Sequence, residues 1–228
     1  MPRTKTVLVV LTSHAELGDT GRATGYYLPE VAHPWRVFTD AGYRVDLASV
    51  QGGTPPASGV DLSDEIQKAF LSDPEMAVKL ADTLSPEAID PDAYDAIFFA
   101  GGHGTMWDFP GSTALAEHAR DVYEAGGVVA ALCHGPAALV GVRLSDGRPL
   151  VEGKRLTAFS NAEESAVGLT DVVPFALQTA LEELGAQHEA AATEFAAHAV
   201  TDGRLVTGQN PASATDTALA TVLVLAGT

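Results

Sequence analysis

Short apolar runs recur along the chain at residues 6–12, 43–49, 96–100, 128–132 and 153–159, each of strand length. Those at 6–12 and 128–132 are continuous rather than alternating, as expected of strands buried on both faces. Polar, amphipathic stretches separate them. Pro29 and Pro34 bracket the start of a helix that runs to about Ala41 and is stopped by Gly42. Residues 112–125 have helical periodicity with Gly126 as the stop, and residues 171–184 repeat the pattern with Gly185 as theirs. Residues 51–93 are rich in proline and glycine, with helical patches at 64–71 and 77–84, and read as an insertion. Near the end, Thr201-Asp202-Gly203 is a hairpin signal between strands at 197–200 and 204–207, and residues 213–225 form a closing helix. Strands alternating with helices predict an α/β fold with a mostly parallel sheet covered on both faces. No Pro/Ser-rich linker interrupts the order, so residues 1–228 are expected to be a single domain.

Within that order, residues 126–139 read GGVVAALCHGPAAL. The apolar run stops at Cys133, and the small Ala131 and Gly135 flank it two residues away on either side. This is the spacing of a nucleophile elbow, in which a strained strand-to-helix turn presents a nucleophile above the sheet. A buried structural cysteine is the plainer alternative. In parallel α/β sheets, sites form outside the carboxyl ends of the strands. That rule puts the loop at 13–26, the Gly101-Gly102-His103-Gly104 loop and the Cys133 elbow on one rim.

Composition narrows the partners. A net charge of −17, from 13 basic and 30 acidic residues, argues against nucleic acid or an anionic membrane as partner. Hydrophobic content of 46% and a mean hydropathy of +0.10 are those of a globular chain. A lone cysteine fits a reducing compartment. The start, MPRTKTVLVVLTSHAE, imitates a secretory signal, but its apolar run is too short for one. With no transmembrane span expected either, the expected location is cytoplasmic.

The thiol is mostly protonated at neutral pH unless assisted. Amides at the start of the following helix would favour thiolate, and His134 would serve as base or ion-pair partner; otherwise His134 is simply a helix-start residue. Gly101 and Gly102 offer unobstructed N–H groups suited to an oxyanion, or form a glycine-rich turn without function. Glu30 lies on the same rim, as a site acid or as an acid complementing a helix dipole. Glu163 and Glu164 follow the strand ending at Phe159, and either could orient a rim histidine or be a solvated first-turn acid. The remaining histidines, His103 among them, show no paired metal spacing, so no metal centre is expected.

Taken together, AGGHGTMWDFP, GGVVAALCHGPAAL, GRPLVEGKRLTAFSNAEE and TDGRLVTGQNPAS resemble the ThiJ/PfpI superfamily, whose folds are glutamine amidotransferase-like. TGYYLPEVAHPW near the start is similar to the glutamate-bearing segment of its small glutathione-independent glyoxalase III and stress-chaperone branch. The resemblance implies a flavodoxin-like three-layer sandwich and a homodimer. It also implies Cys133 as nucleophile, His134 as its partner, Glu164 rather than Glu163 as the acid, and Glu30 against the sulfur. Gly101, Gly102 and His103 would bind oxyanion or substrate, with backbone N–H groups of Gly102 and His134 as the donors. No His-x-Glu pair stands near the C-terminus, which disfavours amide transfer. The resulting expectation is conversion of a small aldehyde, methylglyoxal or glyoxal, into a 2-hydroxy acid without cofactor or metal. The alternatives are a cysteine-dependent amidase, peptidase or protein deglycase, and a stress holdase or redox sensor without turnover. The insertion matches the family pattern least well and is expected to border the pocket.

Overall fold

The computed structural model describes residues 3–227. The single-domain span expected from the sequence includes Met1, Pro2 and Thr228, which lie outside the described residues. All six residues of the first strand, β1 (Thr6–Leu11), are buried. Its alternate residues feed two different cores: Leu8 and Val10 pack on one face, and Val7, Val9 and Leu11 on the other. That two-sided burial is why the run is apolar throughout rather than alternating.

After β1 come α1 (Pro29–Asp40) and β2 (Arg44–Ser49), then the short helices α2 (Glu65–Ser72) and α3 (Pro74–Ala81). Next are β3 (Ala96–Phe99), α4 (Thr113–Glu124) and β4 (Val128–Leu132). The chain ends with α5 (Asn161–Ala166), α6 (Leu177–Glu183), β5 (Ala199–Asp202), β6 (Leu205–Gly208) and α7 (Ala214–Ala226). The central sheet has six strands in the order β2-β1-β3-β4-β6-β5, all parallel except β5, which turns back on β6 at Gly203. Helices α1 and α7 cover one face, burying Val31, Phe38 and Ala218, while α4 and α6 cover the other with Leu115, Val122, Leu177 and Leu181. The result is a three-layer α/β sandwich of flavodoxin-like type. No helix among the described residues is long and apolar enough to cross a membrane.

Four expectations are corrected. Residues 153–159 do not form a strand of the central sheet. Only Arg155–Leu156 is extended, paired in parallel with Gln187–His188 in a separate two-stranded sheet. The place beside β4 is taken by β6, and Thr157 is tied to it through a side chain, its N–H donating to Thr207 Oγ1 at 2.9 Å. The helix expected at 171–184 starts only at Leu177, because Pro174 disfavours helical backbone at the residue before it. The helix expected at 77–84 starts earlier, at Pro74, where the Asp73 carboxylate accepts from the N–H groups of Glu75 and Met76. It also ends earlier, since Thr83 and Leu84 bridge back to Gly53 and Ala48. After the elbow the chain forms tight 3-10 turns over Gly135–Val140 instead of an α-helix.

Part of residues 51–93 lies at the rim, where Ser58 lines a cavity. Ala57–Ser58 pairs with Tyr26–Tyr27 just before α1, which sets Ser58 beside the start of that helix. At the elbow, Gly135 passes so close to the end of β3 that an added Cβ would overlap the Phe99 carbonyl. Because that obstacle is sheet backbone, Gly135→Ala is expected to cost about 2–3 kcal/mol, lowering Tm by roughly 4–12 °C. Calorimetry of the variant checks this; an unchanged Tm would show that the elbow yields to a methyl group.

Candidate active site

Cys133 follows β4 with φ of 59°, in the left-handed region that residues with side chains rarely adopt. Two backbone hydrogen bonds hold it there. The Cys133 N–H donates to the Gly208 carbonyl and the Phe159 N–H donates to the Cys133 carbonyl, each at 2.9 Å. Such strain costs on the order of 1–3 kcal/mol and persists only where the surroundings over-determine it.

The residue after the elbow begins a relay. His134 Nδ1 lies 3.3 Å from Cys133 Sγ, and His134 Nε2 lies 2.7 Å from Glu164 Oε2. Glu164 Oε1 is 2.9 Å from His103 Nε2, so one carboxylate serves two imidazoles. Burial opposes the charge on Glu164, but the hydrogen bonds from His103 and His134 outweigh it and hold the carboxyl at about 2. An ionised carboxylate only accepts, so both Nε2 atoms carry the protons. The His134 Nδ1 lone pair therefore faces the sulfur. Burial first, and the neighbouring His103 second, lower the His134 pKa to about 4 despite Glu164, leaving a neutral imidazole able to take a proton. Glu163, the neighbour, points elsewhere: its carboxylate accepts from Ser160, Phe195 and Asn210.

Glu30, on the first turn of α1, is fully buried, and neither of its oxygens has a partner at hydrogen-bonding geometry. Burial pushes its carboxyl up to about 8, against a smaller pull from the Cys133 thiol and the Gly101 N–H. It is therefore neutral at pH 7. Gly101 is glycine for a steric reason, since a Cβ there would collide with Glu30 Oε2, the Leu132 carbonyl and Cys133 Cβ. The expected help to the thiol from a helix N-terminus is corrected. Burial raises the Cys133 pKa well above its ordinary value, Glu30 adds to this, and only the His134 N–H pulls the other way. The residues after the cysteine form 3-10 turns, so the elbow itself supplies no α-helix N-terminus to the sulfur.

Glu30, Cys133, His134, His103 and Gly102 line one cavity of about 180 Å³, with Gly101 just behind them against Glu30. Among the described residues, the N–H groups of Gly102 and His134 donate to no backbone carbonyl, while the hydroxyl of Thr105 engages their carbonyls. Tyr27, Ser58, Phe159, Val167, Phe195 and Pro211 complete the lining and were not singled out from the sequence. His103, His134 and Glu164 also bring three metal-competent atoms within 4.8 Å of one another, which residues far apart along the chain could not reveal. Both Nε2 protons are already committed to the carboxylate, so the cluster is built as a hydrogen-bonded triad. One signal for the acid was legible. Ser160-Asn161-Ala162-Glu163 is a capping box, realised in the structure, and it fixes Glu163 as the capping residue and frees Glu164 for the histidines.

A buried carboxyl raised from 4.5 to about 8 gives a signed prediction. Between those pH values the folded chain keeps a proton that the unfolded chain has released, so stability falls as pH rises through that window. Glu30→Gln removes the effect and is expected to raise Tm at pH 7.5 by about 3–8 °C, with the gain vanishing near pH 4.5. Melting curves of both proteins at the two pH values test it; a variant less stable at pH 7.5 than at pH 4.5, each relative to wild type, contradicts a neutral Glu30.

Comparison with known proteins places this geometry. The sequence model of the DJ-1/PfpI family matches residues 22–223. Glyoxalase 3 of Candida albicans is 37% identical over 93% of this chain and 94% of its own length. Glutathione-independent glyoxalase HSP31 of Saccharomyces cerevisiae is 35% identical over 96% of this chain and 97% of its own. Among solved structures, glyoxalase III from Candida albicans superposes with a TM-score of 0.90 at 34% identity, covering 96% of this chain and 97% of that one. The Rapid Encystment Protein 24 kDa of Francisella tularensis gives 0.93 at 40% identity, over 97% and 99%. With a family match across most of its length and relatives this similar from end to end, the chain belongs to the DJ-1/PfpI family.

Proposed function

We propose that the protein is a glutathione-independent glyoxalase that converts methylglyoxal or glyoxal and water into lactate or glycolate, with Cys133 as nucleophile. The observation that carries this reading is the cysteine–histidine–glutamate relay opening, beside a neutral buried glutamic acid, into a cavity of about 180 Å³. That volume is below the 300–1,000 Å³ of pockets for drug-sized ligands and suits a substrate of a few heavy atoms. The two relatives named as glyoxalases support the same reaction.

In this scheme His134 Nδ1 takes the thiol proton as sulfur adds to the aldehyde carbon, forming a hemithioacetal. The N–H groups of Gly102 and His134, free of carbonyl partners, are the donors for the developing oxyanion. A base then removes the proton on the former aldehyde carbon, and a proton returns to the neighbouring carbonyl carbon through an enediol. His134 and Glu30 are the groups placed to carry these protons; Glu30 can give one because it is neutral. One carbon is oxidised and its neighbour reduced, so no external redox partner enters the balance. Water then cleaves the 2-hydroxyacyl thioester, breaking the carbon–sulfur bond and restoring the thiol.

Wild type incubated with methylglyoxal, without glutathione and after chelator treatment, is expected to form lactate. Cys133→Ala should lose turnover by on the order of 10³-fold or more. Lactate from the variant would remove the thiol from the mechanism. Turnover confined to peptide or amide substrates, assayed in parallel, would replace the glyoxalase reading with a hydrolytic one.

A further inference from the structure

Among the described residues only two without glycine's freedom have positive φ: Cys133 at 59° and Phe195 at 61°. Both line the same cavity. Phe195 is 44% exposed, so burial of its ring does not explain why the backbone tolerates this conformation. Polar contacts on both sides of the residue do. Its N–H donates to Glu163 Oε1 at 2.9 Å, and the carbonyl of the next residue, Ala196, accepts from Asn210 Nδ2 at 2.8 Å. Asn210 Nδ2 also donates to Glu163 Oε1 at 2.9 Å, closing a clasp around the strained residue. Glu163 Oε2 is in turn fixed by the N–H and hydroxyl of Ser160 at 3.0 and 3.1 Å. The Phe195 ring stands over the pocket with its centroid 6.2 Å from that of Phe159, which packs on His134 at 4.3 Å.

We infer that Phe195, clasped by Glu163 and Asn210, is the residue that limits the size of the group next to the reacting carbonyl. The inference rests on the glyoxalase reading for its substrate class, 2-oxoaldehydes, and on geometry alone for the limit itself. A cavity of about 150 Å³ is filled by one benzene ring. The enclosed space here is about 180 Å³ and must hold the dicarbonyl as well, so a methyl substituent fits within it, whereas an aryl substituent extends to the mouth that Phe195 lines. Removing that ring frees roughly the volume the aryl group needs. Glu163 is a positioning residue in this arrangement: it touches no reacting atom and acts through Phe195.

Phe195→Gly is the informative variant, because glycine accepts positive φ without strain and the change therefore removes the ring while easing the backbone. Its Tm is expected to be no lower than that of wild type. The ratio of kcat/KM for phenylglyoxal to that for methylglyoxal is expected to rise at least about tenfold, in line with a steric clash of this size. Glu163→Ala, which removes the acceptor shared by the Phe195 N–H and Asn210 Nδ2, is expected to move the ratio in the same direction by a smaller factor. A second measurement does not need turnover. Cys133 is the lone cysteine, so its modification by methyl and by benzyl methanethiosulfonate can be followed by intact mass. The benzyl-to-methyl rate ratio is expected to rise about tenfold in Phe195→Gly. An unchanged labelling ratio in Phe195→Gly overturns the size limit, and an unchanged ratio in Glu163→Ala by both measurements overturns the clasp. If wild type consumes neither aldehyde while the labelling ratio still rises, the glyoxalase reading fails and the size limit stands.

Discussion

The left-handed backbone at Cys133 is the constraint on which the rest of the site hangs. A residue with a side chain is held at φ of 59° by a carbonyl from β6 and an N–H from the segment before α5, both far from it in sequence. The first is in place only once β6 has paired with β4, and the second comes from a segment outside the central sheet. The strain, on the order of 1–3 kcal/mol, is therefore borne by long-range packing rather than by the turn itself. In return the sulfur lies past the C-terminal end of β4, in the cavity that Glu30 of α1 and the imidazole of the next residue also line. The glycines follow from the same crowding. Position 135 has no room beside the Phe99 carbonyl, and position 101 has none beside Glu30 and Cys133.

Two buried glutamates in one site are held in opposite protonation states, and counting their donors explains why. Glu164 receives an N–H from each of two imidazoles and stays ionised at about 2. Glu30 has no partner at hydrogen-bonding geometry, and burial alone drives it up to about 8. Environments that push two titratable groups apart in this way separate a charge-orienting role from a proton-donating one. The neutral His134 between them completes the division. Glu164 fixes which nitrogen is protonated, and the other nitrogen is left facing the thiol. The thiol is raised as well, so in the proposed reaction proton transfer would accompany attack on the substrate.

Much of this was legible from residue order, and the parts that were not have identifiable reasons. Continuous apolar runs marked β1, β3 and β4 because two-sided burial leaves little else at those positions, whereas the edge strand β2 keeps Arg44 and Asp46. The elbow spacing marked Cys133 because sharp turns demand small flanking residues. Residues 153–159 misled because 156–159 are buried like a strand, yet Thr157 is bonded to a side chain of β6 and holds no place in the ladder. The choice between Glu163 and Glu164 was beyond simple spacing, although the capping box at Ser160 held the information. His103 was singled out with Gly101 and Gly102 through the family resemblance, but its link to Glu164 spans 61 positions and left no mark in residue order. Phe195 left no local trace at all. A strained aromatic on a loop has no propensity signal, and its clasp joins α5 to the turn after β6.

That clasp ties two properties of the cavity together. Glu163 and Glu164 are consecutive on the first turn of α5, about 100° apart around its axis at 3.6 residues per turn. One faces the Phe195 loop and the other faces the two histidines. A one-residue change in where the helix starts would swing each carboxylate away from its partners, dropping the imidazole orientation and the rim contact together. The Ser160 cap prevents this by fixing the first turn through hydrogen bonds to Glu163 itself. The group that holds the rim is thus also the group that sets the register of the helix carrying the acid. Changes at the rim and changes at the relay should therefore be coupled whenever they pass through α5, and independent when they pass through Phe195 alone.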